Sequence, residues 1–225
     1  MQEIFFADSE TTSASVEWVL MELLRNPETM IKVKNEISSL EGSNKKFEES
    51  DIDKLTYLQA KIKEILRLHL PVPLLVPRSA IENTNFMGSL IPKNTQVFVN
   101  IWAISRDDEC WEEPLSFKPE RFLGSKIDYK GQHYDFIPFD FIPFGASRRS
   151  CPGLPLGHRM MHFVLGSLFH EFDWELESST NPNTIDMNEK IGLAMRKLEP
   201  LKVVPNKTCH MILCILLLYL LKRNA

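Results

Sequence analysis

Apolar residues recur at helical spacing near the start of the chain: Val16, Val19, Leu20, Leu23 and Leu24. Asn26-Pro27 is expected to stop this helix. Ile4, Phe5 and Phe6 stand almost at the terminus with no capping residue before them, the pattern of a chain that begins mid-element. A second helix is expected from Glu28 to Leu40, with Ile31, Val33 and Ile37 inward. A third is expected from Ile52 to His69, with Leu58, Ile62, Ile65 and Leu66 on one stripe and Pro71 and Pro73 behind it. The period then changes. Ile91-Pro92-Lys93-Asn94 suits a tight turn, and Val97, Val99 and Ile101 alternate as a strand would. From Ser105 to Phe144 no period is clean, and so long an irregular stretch points to function. Gly157 to Phe172 reads as a fourth helix and Pro200 to Pro205 as a closing strand. Asp135 to Phe139 and Asp140 to Phe144 are the same five residues, a local tandem duplication.

Composition narrows the function classes. The 225 residues carry 26 Lys and Arg against 30 Asp and Glu, a net charge of −4, so nucleic acid is not the expected partner. Hydrophobic residues at 44% and charged residues at 25% are those of a folded globule. The 4 cysteines include no CxxC and are too few for a disulfide scaffold. The opening MQEIFFADSETT has no basic region of a signal peptide. The apolar run Met211 to Leu221 is shorter than the roughly 20 residues a membrane-spanning helix needs.

Cys151 is the first chemistry-bearing candidate. It lies in PFGASRRSCPG, just before a helix and after Arg148 and Arg149, and both features favour a thiolate. A thiolate is a nucleophile or a metal ligand. His158 and His162 are available as bases, although both sit on the following helix and no third orienting group is evident. HRMMH lacks the Glu of HExxH, and Arg149 stands where GxSxG needs Gly. Glu64 and Arg67 share a face at i, i+3, a spacing that usually makes only a surface ion pair. Arg121, in FKPERF, is a further cation in an apolar setting, and the three are expected to form one buried network. ADSETT, residues 7–12, reads by itself as a helix-capping stretch.

In this order, ADSETT, KEILR, FKPERF and PFGASRRSCPG resemble the C-terminal half of a cytochrome P-450, a haem-thiolate monooxygenase. KEILRLHLPVPLLVPRSA and RDDECWEEPLSFKPERFL are similar to plant microsomal members, among them geraniol and other monoterpenol hydroxylases. The resemblance implies a fold that is mainly α with a small β portion, over residues 1–205, followed by an apolar tail at 206–225 that has no family counterpart. It implies haem b with Cys151 as the axial thiolate, Arg149 and Arg78 on the propionates, and Phe144 beside the sulfur. Glu64, Arg67 and Arg121 would be the structural triad. Glu10 and Thr11 would be catalytic, relaying protons during dioxygen activation. Val72 to Val76 and Gly192 to Ala194 match stretches that line substrate pockets. The implied reaction places one oxygen atom of O2 into a small hydrophobic, terpenoid-like substrate. Its electrons would come from NADPH-cytochrome P-450 reductase, docking beside Arg148 and Arg149, at the cytosolic face of the endoplasmic reticulum membrane.

Three departures accompany the resemblance. Ser147 stands where the cysteine loop has Gly, and a positive φ there would cost Ser about 1–2 kcal/mol. Asp8 stands where the distal helix has Gly and would crowd the dioxygen side. Family members are also much longer, so a truncated chain is expected, and an inactive haem-binding fragment is one alternative. A non-haem thiol enzyme using Cys151 and His158 is the other.

Overall fold

The computed structural model describes residues 2–40, 46–129, 141–177, 181–192 and 194–208. Among the described residues five helices form its frame: α1 (Gln2–Arg25), α2 (Pro27–Ser38), α3 (Thr56–Leu68), α4 (Ile101–Ile104) and α5 (Leu154–Glu171). Eight short strands pair, among the described residues, as four separate antiparallel ribbons. β1 (Arg78–Ser79) lies beside β4 (Gln96–Val97), and β2 (Thr84–Phe86) beside β3 (Ser89–Ile91). β5 (Phe172–Leu176) pairs with β8 (Val203–Lys207), and β6 (Glu189–Lys190) with β7 (Arg196–Lys197). The architecture is therefore mainly α with a small β portion, as expected.

Local chemistry explains where the elements stop. Pro27 occupies the first turn of α2, where a missing N–H costs nothing, so Asn26-Pro27 ends one helix and starts the next. The β2–β3 hairpin turns through Met87 and Gly88, both at positive φ, which matches strand twist in a two-residue turn. Asn94 at φ 67 takes the left-handed position expected for the turn after Pro92.

Several expected boundaries are corrected. Ile31 is 59% exposed, while Val33 and Ile37 are buried as expected. The third helix does not begin at Ile52. A 3-10 turn covers Glu49–Lys54, the backbone turns at Leu55, and α3 starts at Thr56. Ile101 does not continue a strand, because Asn100 caps α4 by accepting from the Ala103 N–H at 3.1 Å. α5 begins at Leu154, ahead of Gly157, and Phe172 already belongs to β5. The closing strand runs on through Lys207, because its ladder with β5 pairs Phe172 with Lys207. The first copy of the five-residue duplication and residues 209–225 lie outside the described residues.

One hydrophobic core joins α1, α2, α3 and α5 through Trp18, Met21, Leu23, Val33, Leu58, Ile62, Ile65, Leu165 and Phe169. Burial of so many large side chains contributes roughly 1.5–3 kcal/mol each before chain entropy is counted. A smaller cluster of Leu70, Ile101 and Ile142, with Leu75, Val99, Ile104 and Ala146 packed on it, joins the end of α3 to the cysteine loop. That second cluster fixes the functional loop to the frame. Among the described residues no helix is long and apolar enough to cross a membrane.

Candidate functional site

α3 is buried on nearly all sides, charged residues included. Glu64 and Arg67 are fully buried and meet in a two-pronged ion pair: Nε to Oε2 at 2.9 Å and Nη2 to Oε1 at 2.8 Å. Arg67 Nη1 donates to the carbonyls of Ser105 and Pro114, both at 2.7 Å, and Nη2 to that of Ser116 at 3.2 Å. The Lys118 N–H donates to Glu64 at 2.8 Å, and Arg121 Nε lies 3.2 Å from the same carboxylate. Arg121 also donates to the Glu112 carbonyl at 3.0 Å. Trp111 forms a platform, with the Arg67 and Arg121 guanidiniums 5.2 Å and 5.7 Å from its ring centroid. The structure thus brings Glu64, Arg67 and Arg121 together as expected, and the i, i+3 pair that by spacing alone would be a surface bridge is fully buried. Such a network is tolerated only when every donor and acceptor is answered.

The loop anchored by the Leu70, Ile101 and Ile142 cluster carries Cys151. Its exposed thiol lies two residues before Gly153, the cap of α5. The Cys151 N–H donates to the Phe144 carbonyl at 2.8 Å, closing the loop across Gly145 to Ser150. Gly145 has φ 71, and a Cβ there would meet Leu75 Cδ1 at 3.4 Å, so the loop after α3 packs directly on the cysteine loop. Ser147 has φ 57, the strained conformation anticipated for a Gly position. Arg148 and Arg149 form an exposed 3-10 turn beside Cys151. Phe144 is half-buried, and its ring packs on Tyr129 at 5.1 Å. Arg78 is half-buried in β1, opposite Val97.

The remaining predicted residues lie on α1. The Thr11 hydroxyl donates to the Ala7 carbonyl at 2.6 Å, one turn back. The Glu10 carboxylate stands 3.7 Å from Arg196 of β7. Asp8 is half-buried on the same helix. The alternative of a Cys151–His158 thiol enzyme is not favoured. His158 is buried and its Nδ1 is 2.7 Å from the Tyr129 hydroxyl, whereas Cys151 is exposed.

Lys61 and His69 are buried titratable residues that the sequence does not single out. Lys61 is fully buried on α3, and its ammonium lies 4.7 Å and 5.0 Å from the Tyr57 and Phe117 ring centroids. Burial pushes its pKa down to about 8. No local signal marked it, since the spacing of Lys61 fits a solvated helix face. His69, at the end of α3, was passed over for the same reason: its partners are remote in sequence.

The donor set suits one prosthetic group. A soft, exposed thiol on a loop that turns at Gly145 fits iron in a planar macrocycle, and arginines nearby fit its carboxylates. The family profile of cytochrome P450 matches residues 1–202. The chain belongs to the cytochrome P450 family. Cytochrome P450 76A1 of Solanum melongena is 62% identical over 205 residues, covering 91% of this chain and 43% of that protein. Iridoid oxidase of Catharanthus roseus is 53% identical, covering 93% of this chain and 40% of its own length. Geraniol 8-hydroxylase of Swertia mussotii is 48% identical, at 90% and 40% coverage. Among solved structures, a zebrafish cytochrome P450 with abiraterone superimposes at a TM-score of 0.79 with 30% identity, over 92% of this chain and 46% of that one. The chain therefore spans about two fifths of the length of the curated P450 relatives it matches.

Proposed function

We propose that this chain forms the haem-thiolate portion of a monooxygenase. That enzyme hydroxylates a small hydrophobic, terpenoid-like substrate with O2 and electrons from NADPH-cytochrome P-450 reductase. The observation that carries the reading is the exposed Cys151 thiol in a loop closed by the Phe144–Cys151 backbone bond, directly against Leu75. Relatives named for iridoid oxidation and geraniol 8-hydroxylation support the substrate class.

Haem b, when bound, would supply the dioxygen and one-electron chemistry. The protein's part follows from its own residues. Cys151 would hold the iron through sulfur, with Arg149 and Arg78 on the propionate carboxylates. Phe144 and Leu75 would keep water from the sulfur side. On α1, Thr11 and Glu10 would relay protons; the Thr11 hydroxyl would first have to turn from the Ala7 carbonyl to which it donates, and the Glu10 carboxylate from Arg196. Val72 to Val76 and Gly192 to Ala194 would line the substrate side. The exposed Arg148 and Arg149 would receive an acidic reductase surface. The setting would be the cytosolic face of the endoplasmic reticulum membrane.

The test is a carbon monoxide difference spectrum of the chain produced with haem available. The thiolate band that names the family is expected in the wild-type chain and in Cys110→Ser, and lost in Cys151→Ser. Retention of the band in Cys151→Ser would sink the assignment.

A further inference from the structure

A second group of ionisable side chains gathers where α3 ends, and the proposed chemistry uses none of it. His69 is the C-terminal cap of α3 and is buried. Its ring stacks on Trp18 of α1, with centroids 3.8 Å apart and planes 5° from parallel. Nε2 is 3.0 Å from Glu22 Oε1 on α1, and Nδ1 is 3.0 Å from Glu189 Oε1 on β6. A neutral imidazole has one N–H and one bare nitrogen, so it can donate to only one carboxylate. Carboxylates at both nitrogens are answered together only by the doubly protonated ring.

The other charges around the ring agree with this. Lys197 of β7 lies 5.1 Å from the Trp18 ring centroid and donates to the Asp186 carbonyl. Arg106, after α4, donates to the carbonyl of Leu68, the residue before His69. Glu22 and Glu189 are thus the acids facing the imidazole, and Lys197 and Arg106 the neighbouring cations. Burial alone would lower the His69 pKa, but its hydrogen bonds to Glu189 and Glu22 outweigh burial and raise it.

The bridge joins three parts of the chain that sequence keeps far apart. Glu22 anchors α1, His69 the end of α3, and Glu189 the β6–β7 hairpin. Immediately after His69, the Pro71 carbonyl accepts the Met195 N–H at 2.7 Å, so the same loop is tied to the same hairpin twice. Val72 to Val76 follow Pro71 in the chain, and Gly192 and Ala194 precede Met195, with Leu193 outside the described residues.

We propose that His69 is a positioning residue: its imidazolium latches the loop after α3 and the β6–β7 hairpin onto α1, and so sets the spacing of the two substrate-lining segments. The assignment of those segments to substrate rests on the monooxygenase reading above. A histidine held above its unfolded value stabilises the folded form fully below about pH 6.5, and the effect is lost as pH rises through the raised folded value. The latch is closed in mild acid and opens with alkali.

The experiment uses the whole chain labelled with nitrogen-15. The ring nitrogens of His69 and the exchange of the Met195 amide are followed against pH. His69 is expected to keep both ring protons to a higher pH than an exposed histidine of the same chain. Met195 protection, corrected for intrinsic exchange, is expected to fall about ten-fold or more as His69 deprotonates, because a hydrogen bond to a charged partner is lost. Glu189→Gln should shift the midpoint down and lower Met195 protection about ten-fold at mildly acid pH, leaving the Leu66 amide within α3 unchanged. His69→Gln should make Met195 protection independent of pH. A His69 that loses its second proton at or below the pH at which exposed histidines do, or the same Met195 pH profile in wild type and His69→Gln, would overturn the latch. The carbon monoxide spectrum measured alongside separates the two readings. Loss of the thiolate band with the Met195 profile intact overturns the substrate-lining role and not the bridge.

Discussion

On α3, Arg67 places its donors on five acceptors, all supplied by this chain: two carboxylate oxygens of Glu64 and the carbonyls of Ser105, Pro114 and Ser116. At the cysteine loop, Arg148, Arg149 and Cys151 are exposed, and the loop includes Ser147 at φ 57. The first region is complete within itself. The second is a shaped surface whose polar groups suit a ligand. The difference teaches that burial here follows satisfaction: charge goes inward where its partners are built in, and stays outward where a partner is to be received. Lys61 is the exception that sharpens this, because among the described residues its buried ammonium has no hydrogen-bond acceptor, only aromatic faces.

Breaking the complete region should cost most. Arg67→Met leaves Glu64 buried without its two-pronged partner, and a loss of about 3–5 kcal/mol is expected. Urea unfolding followed by circular dichroism would measure it, and a change within experimental error would show that the network does not hold the fold. Lys61→Met acts in the opposite direction. With the folded pKa at about 8, below the unfolded value near 10.5, the protein is more stable once the amine is neutral. Lys61→Met should therefore be more stable than wild type by about 1–3 kcal/mol at neutral pH. That gap should shrink as pH rises from about 8 towards 10.5. A gap that does not depend on pH would mean the ammonium finds an acceptor after all. The smallest effect is expected at the exposed loop. Ser147→Gly relieves a left-handed backbone and should add about 1 kcal/mol to stability. Its thermal midpoint should rise slightly, and a fall would place Ser147 in a bond that the exposed loop needs.

The reading of the sequence carried further at the cysteine loop than at α3. Cys151, its arginines and its glycines are adjacent in the chain, so a local motif conveyed the loop, and even the strain at Ser147 followed from the residue type. Glu64 and Arg67 are also local, and their buried network with Arg121 follows from the residues, but the groups that complete it do not, because the carbonyls of Ser105, Pro114 and Ser116 and the Trp111 platform come from an irregular stretch with no period to read. The strand expected through Ile101 failed because Asn100 offers a helix cap, a side-chain choice that alternation of apolar residues cannot show. Ile31 failed because hydrophobic spacing on α2 marks two faces and only packing against α5 and α3 selects one.

By itself, then, the sequence determined the mainly helical class, the prolines and caps that end the helices, and the thiol loop. These depend on interactions within a few residues, where chain connectivity already fixes the distances. The tertiary structure alone decided which remote groups answer the buried charges, and that Lys61 and His69 are buried at all. Glu22, His69 and Glu189 meet across separations of 47 and 120 residues, and Lys61 lies under Phe117. Such meetings depend on how whole elements pack, and packing energy is summed over many weak contacts that no short motif records.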